Sequence, residues 1–226
     1  MISPAALGPF PFLYPLIDTD VCVARGRDPM TLAAACLEGG ARVLQLRCKR
    51  DSSAAFLALA DRLVRLARER GAVVIINDRP DIARLSGAAG VHVGQEDLPV
   101  ADVRRVAGAD AIVGLSTHDT SQVDAALAGS ATYIAVGPIF GTTTKDTGYD
   151  ARGLELVRYA AGRGKPVVAI GGITLDRAAR VIDAGATGIA VITDLLTGDD
   201  AELRTRRFIA AIAAIGDRFV DRPDES

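Results

Sequence analysis

The sequence predicts an α/β protein built as a single (β/α)8 barrel of the TIM type, on three observations. Eight short apolar runs recur along the 226 residues, each is followed by a longer stretch with helical spacing or punctuation, and no break in composition divides the alternation. Nearly continuous apolar runs are what strands become when both faces of a parallel sheet are covered. A doubly wound open sheet is the alternative, but it needs a topological switch and ordinarily has fewer strands.

The elements follow in order. The first strand is "LYPLID" (13–18), with its core shifted to 16–18 because Pro15 is better tolerated at a strand start. Asp28-Pro29 then supplies a capping acid and a proline for the first helical turn, and that helix stops at Gly39-Gly40. "RVLQLR" (42–47) is the second strand; the helix after it opens at Asp51 or Ser52 and ends at Gly71. "AVVIIND" (72–78) and "GVHVG" (90–94) are the third and fourth strands, and the short segments after them allow helices of one or two turns. "AIVGLS" (111–116), "TYIAVG" (132–137), "PVVAIGG" (166–172) and "TGIAVI" (187–192) complete the set. Thr120 and Thr174 are cap candidates for the helices after the fifth and seventh strands. Residues 13–216 form the barrel; 1–12 and 217–226 are extensions to which no function is assigned.

Composition excludes several classes. Net charge is −2 with both signs interspersed, so there is no electrostatic footprint for nucleic acid. The run "RTRR" (204–207) reads as a solvated helix face. Cys22, Cys36 and Cys48 have no CxxC spacing, which argues against a disulfide framework or zinc site and for a reducing, cytoplasmic setting. No apolar run reaches the roughly 20 residues needed to span a bilayer. The N-terminus lacks a basic region and is broken by prolines, so it reads poorly as a signal peptide. The oligomeric state stays open, a homo-oligomer included.

In such a barrel the reactive groups gather where strands end. Here the second strand ends in Gln45, Arg47 and Lys49, whose alternate spacing turns all three to one face. The third ends in Asn77-Asp78, the fourth runs into Gly94–Asp97, and the fifth ends at Ser116, followed by Thr117-His118. The sixth runs into "GPIFGTTTK" (137–145), the seventh ends at Gly171-Gly172 and the eighth at Ile192-Thr193. Each has an ordinary alternative. Asp97 caps a helix starting near Pro99, Asp78 pairs with Arg79 or Arg84, and His118 is a structural hydrogen-bonder. Their concentration at one end of successive strands favours function.

Charge says what that function is. Asp78 and Asp97 make a weak hard-cation site suited to Mg²⁺, which keeps waters and accepts phosphate oxygens as further ligands. Arg47, Lys49 and Lys145 add positive charge, and Thr142 and Thr144 add hydroxyl donors. Opposite them, Gly172 and Thr193 place glycine backbone and a hydroxyl where barrels often hold a monophosphate. The mouth therefore reads as two anion sites, a metal-bound diphosphate facing a monophosphate.

"QLRCK", "IND", "GVHVGQED", "GLSTH", "GPIFGTTTKD", "AIGGIT" and "GIAVIT", in that order along residues 13 to 213, resemble the motifs of the thiamine-phosphate synthase family. The resemblance implies that Asp78 and Asp97 ligate Mg²⁺, and that Gln45, Arg47, Lys49, Asn77 and Lys145 line a pyrimidine diphosphate. Ser116, Thr142 and Thr144 match positions holding substrate or released pyrophosphate; Gly172, Ile192 and Thr193 match those holding a thiazole phosphate. It also implies the reaction, in which an aminopyrimidine methyl diphosphate and a thiazole phosphate give thiamine phosphate and pyrophosphate. Arg47, Lys49, Lys145 and Ser116 are then the expected catalytic residues. Cys48 stands where the family often has an acid, and by alternation faces away. Asp194 is expected to point outward or cap the turn after it. The alternatives are a related thiazole tautomerase with His118 as acid/base, or a non-catalytic phosphate-binding barrel.

Overall fold

A computed structural model describes residue 7 and residues 10–141, 150–198 and 200–220, with side chains as far as Ile215. Eight parallel strands follow one another around a closed barrel in chain order. They are β1 (Phe12–Asp18), β2 (Val43–Arg47), β3 (Val73–Asn77), β4 (Gly90–Val93), β5 (Ile112–Thr117), β6 (Tyr133–Val136), β7 (Val167–Ile170) and β8 (Gly188–Val191). Phe12 to Pro15 of β1 pair with Gly188 to Val191 of β8, a closure that excludes the open sheet. Strand ends differ from the sequence reading by one or two residues, so Asp78 and the Gly171-Gly172 pair stand in the loops above the rim.

Pro15 corrects an expectation. It lies inside β1, where the ladder to β8 ends at Pro15 and the ladder to β2 begins at Leu16. Phe12 N–H bonds Thr187 C=O on the β8 side, so strand alternation turns position 15 toward β2. The missing proline N–H thus falls where the β2 ladder has not yet begun, and it interrupts nothing.

The helices are α1 (Thr19–Ala24), α2 (Pro29–Glu38), α3 (Ser53–Glu69), α4 (Pro80–Ser86), α5 (Val100–Ala107), α6 (Thr120–Ala128), α7 (Gly153–Ala160), α8 (Leu175–Asp183) and α9 (Ala201–Val220). A 3-10 turn, Thr193–Leu196, follows β8. Asp28 caps α2 and Ser52 caps α3 through bonds to Thr31 N–H and Ala55 N–H. The cap of α6 is Asp119 rather than Thr120, because its carboxylate accepts from Gln122 N–H. Thr174 stands at the cap of α8 without a side-chain cap bond; Asp194 Oδ2 accepts from Leu175 N–H in its place. Helix α9 runs to Val220, beyond the expected barrel limit at 216. No helix among the described residues is long and apolar enough to cross a membrane.

Strand alternation divides the core into two layers. Between strands and helices lies the larger one, which includes Cys22, Cys36 and Cys48, all free. Inside the barrel, Tyr14, Leu16, Val43, Ile75, Ile112, Tyr133, Val168 and Ala190 pack together, with Leu7 and Phe12 in the same cluster. Polar side chains interrupt that inner layer: Gln45 is 2% exposed, Asn77 7% and His92 9%.

Candidate active site

The rim above β1–β4 holds the charged half of the site. Arg47, the last residue of β2, places Nη1 2.6 Å from Asp18 Oδ2, the carboxylate that ends β1. The same carboxylate caps α1 by accepting from Val21 N–H. Arg47 Nε is buried with no hydrogen-bond partner among the described residues. A buried donor of that kind is costly to leave unpaired, and the Asp18 bond at Nη1 is what holds the guanidinium in place. Lys49 forms an ion pair with Asp78. Arg79 pairs with Asp81, so the alternative pairing of Asp78 with Arg79 is not what the fold uses.

Asp78 has φ 62°, the only non-glycine residue in the left-handed region among those described. Its amide donates to His92 C=O on the neighbouring strand, which helps to hold this unfavourable conformation in place. Asp97 lies beside it. Burial is the main cause raising the Asp97 pKa, and the adjoining Asp78 carboxylate adds to it; Gly94 N–H and Lys49 act the other way. Asp97 is not a helix cap: its Oδ2 accepts from Gly94 N–H at 2.7 Å and closes the GQED turn, while α5 begins after Pro99. Two crowded carboxylates with a lysine against one of them fit a hard cation that takes its remaining ligands from water and substrate. Among the described residues no group of three or more His, Cys, Asp or Glu forms a cage for a metal ion.

The other half is a cavity of about 310 Å³ above β5–β8, lined by Ser116, His118, Gly172, Ile192, Thr193 and Arg25 among others. Gly171 (φ 101°) and Gly172 (φ 60°) are left-handed, and a Cβ on either would come within 2.6 Å of Pro138 or of the Gly141 carbonyl. Only glycine lets the backbone line the cavity at this point. Asp194 borders the cavity, but neither expectation for it holds. It is turned into the protein, 2.6 Å from Arg204 Nη2, and serves the first amide of α8 instead of its own turn. Arg206 and Arg207 of "RTRR" are exposed as expected, but Arg204 leaves the solvated face, because its guanidinium reaches Asp194 in the 3-10 turn that α9 packs against.

Among the expected residues, Lys49, Asp78 and Asp97 meet in one cluster, with Arg47 on the adjoining strand end; Ser116, Gly172, Ile192 and Thr193 meet around the cavity. Gln45 is turned inward and donates to the Tyr14 hydroxyl at 3.0 Å. Asn77 stands abreast of His92. Thr142, Thr144 and Lys145 lie outside the described residues.

Three features escaped the sequence reading. Asp18 closes a run that was recognised as a strand, and the strand-end rule applied to β1 would have found it. His92 joins the site through Nε2, 2.9 Å from Ser116 Oγ, although "GVHVG" reads as plain strand interior. Arg25 follows α1, a helix with no sequence signal. It is exposed, borders the cavity, and its guanidinium has no ion pair among the described residues.

Comparison with known proteins agrees with the motifs. Residues 13–195 match the family model described as thiamine monophosphate synthase. Over 197 residues the chain is 42% identical to a thiamine-phosphate synthase of Roseiflexus sp. (strain RS-1), covering 87% of this chain and 84% of that one. It is also 42% identical over 212 residues to the thiamine-phosphate synthase of Mycobacterium tuberculosis (strain ATCC 25177 / H37Ra), covering 87% and 93%. A solved thiamine phosphate pyrophosphorylase from Pyrococcus furiosus superposes with a TM-score of 0.83 at 29% identity, covering 94% of this chain and 98% of that one.

Proposed function

Because this chain belongs to the thiamine monophosphate synthase family, transferases of thiamine biosynthesis, we propose that its barrel mouth joins a pyrimidine diphosphate to a thiazole monophosphate, releasing pyrophosphate. The observation that carries this reading is Arg47. Asp18 fixes its guanidinium at the end of β2, two residues before Lys49, so two cations stand at this rim beside the Asp78 and Asp97 carboxylates. The lysine and paired carboxylates beside it suit a diphosphate, and the glycine-lined cavity suits a smaller phosphate.

The chemistry asks little of the protein. The C–O bond between the pyrimidine methylene and the diphosphate breaks, and its electron pair leaves on the diphosphate oxygen. The electron-rich aminopyrimidine stabilises the cation left behind. The thiazole nitrogen lone pair then forms the new C–N bond, and no proton has to move. Catalysis reduces to neutralising the leaving group and positioning the acceptor. Arg47, Lys49 and Lys145 neutralise the diphosphate, while Ser116, Thr142 and Thr144 donate hydrogen bonds to it. Gln45 and Asn77 line the pyrimidine substrate. Gly172, Ile192 and Thr193 hold the thiazole phosphate, with Arg25 as a further cation at the cavity mouth. Asp78 and Asp97 would hold Mg²⁺, which when bound adds positive charge to the leaving diphosphate. The free buried cysteines suit a reducing compartment, so the reaction is assigned to the cytoplasm.

The test is pyrophosphate release by the purified protein. Release is expected only when both substrates and Mg²⁺ are supplied, and excess chelator should abolish it. Release from either substrate alone, or full activity in chelator, would overturn the assignment.

A further inference from the structure

The inner layer of the barrel contains a chain of polar contacts from Gln45 to Ser116. We propose that this chain is a one-way hydrogen-bond relay, Gln45–Tyr14–Tyr133–His92–Ser116. It fixes His92 as its Nε2–H tautomer and turns the Ser116 hydroxyl hydrogen into the cavity, as a donor to an anionic substrate oxygen. His92 and the tyrosines are thus positioning residues that act through Ser116.

Counting hydrogens gives the direction. Gln45 Nε2 carries only donors and lies 3.0 Å from Tyr14 Oη. Tyr14 has one hydroxyl hydrogen, and its other partner is Tyr133 Oη at 3.0 Å. Tyr133, fully buried, passes its own hydrogen to His92 Nδ1 at 2.9 Å. With Nδ1 accepting, a neutral imidazole must carry its hydrogen on Nε2, 2.9 Å from Ser116 Oγ. Ser116 accepts there, which leaves its single hydrogen for the cavity it lines. Reversing the Tyr133–His92 link would leave the buried Tyr14 hydroxyl hydrogen without an acceptor among the described residues, and reversing the Ser116 link alone would leave the imidazole no nitrogen that carries hydrogen. Burial raises the pKa of both phenols, so each keeps its hydrogen at neutral pH.

Strand register shows that the fold makes room for this relay. His92 on β4 stands abreast of Gly114 on β5, and Gly114 abreast of Tyr133 on β6. A Cβ on Gly114 would lie 2.1 Å from Tyr133 Cζ and 2.5 Å from His92 Nδ1. The absence of a side chain lets the two rings reach each other across the middle strand, stacked with centroids 5.6 Å apart.

The decisive experiment is nitrogen NMR of the ¹⁵N-histidine-labelled protein above pH 8, where an ordinary histidine is neutral. The chain has two histidines, and a His118→Gln sample assigns them. His118 supplies an internal contrast, because its Nδ1 meets the Gly137 carbonyl and must carry hydrogen. The expected spectrum has opposite tautomers, Nε2–H for His92 and Nδ1–H for His118. An Nδ1–H tautomer at His92, as a flipped Gln45 amide would give, overturns the relay. This readout needs no turnover, so it judges the relay separately from the synthase assignment on which its substrate role rests. In steady-state kinetics Tyr133→Phe should lower kcat about tenfold with little change in either KM. Ser116→Ala should lower it about 100-fold. The double variant should be no slower than Ser116→Ala alone; multiplicative losses would overturn the proposal. If Tyr133→Phe does not fold, Tyr14→Phe takes its place in the same cycle.

Discussion

Asp18 and Arg47 end neighbouring strands and meet carboxylate to guanidinium at 2.6 Å, the acid nearly buried and the arginine largely so. In the proposed function Asp18 holds Arg47 toward the diphosphate without itself touching a substrate. Asp18→Asn keeps an oxygen able to cap α1 but removes the charge. We expect kcat/KM for the pyrimidine diphosphate to fall roughly 10- to 100-fold, an energy of about 1.4–2.7 kcal/mol. Thiazole phosphate KM should move far less. Equal losses for both substrates in steady-state assays would place the defect in folding instead.

Arg25 offers the converse selectivity. It is exposed and unpaired among the described residues, so Arg25→Ala should leave thermal stability within ~0.5 kcal/mol. The KM for the thiazole phosphate should rise about tenfold, with the pyrimidine diphosphate KM unchanged. Arg25→Lys should recover part of the loss. Parallel titration of the two substrates checks this.

Gly114→Ala should be harmful out of proportion to its one added carbon, because that carbon meets Tyr133 at 2.1 Å. Overpacking of this kind costs about 3 kcal/mol, and in a chain of this size the melting temperature should drop by roughly 10 °C. Gly26→Ala would meet no crowding either but has φ 62°, so Gly141→Ala is the control: among the described residues nothing lies within 4 Å of its added Cβ. Calorimetry of the two variants should separate them clearly.

His118→Ala should cost the synthase reaction less than about threefold, within the range of a lost hydrogen bond. The imidazole donates through Nδ1 to the Gly137 carbonyl, a structural use. A loss near 1,000-fold in the same pyrophosphate assay would show that the reaction passes a proton through this ring after all.

Asp28 gives a pH test away from the site. Bonds from Thr31 N–H and the Thr31 hydroxyl hold its carboxyl below the usual carboxylate range. A lowered folded-state pKa means the stabilisation is complete above the unfolded value near ~3.9 and is lost as pH falls through the folded one. Asp28→Ala should therefore cost about 1 kcal/mol at neutral pH. The gap between the two proteins should close in acid, as denaturant melts at a series of pH values would show.

The fold was legible because its signals are local. The apolar runs mark strands, while Asp28, Ser52 and Gly71 mark helix ends within a residue or so of where they fall. The rim was legible to the same extent, since Gln45 and Arg47 follow from alternation along a single strand. What was hidden depends on which residues stand abreast in different strands. No pattern within "GVHVG", "AIVGLS" or "TYIAVG" says that His92, Gly114 and Tyr133 share one level; the stagger of the closed barrel decides it. Asp194 was misplaced for the same reason. Its partner, Arg204, comes from α9, and sequence proximity suggested the wrong neighbour.

That bond between Asp194 and Arg204 also ties the cavity to the last helix. Part of the cavity wall is made by β7, β8 and the 3-10 turn, and one of its residues is an acid whose carboxylate is held from two sides, by the Leu175 amide of α8 and by a guanidinium from α9. Undocking α9 would take that guanidinium away and leave the acid with the amide alone. The last helix thus helps to set the charge of a cavity that Arg204 itself does not line.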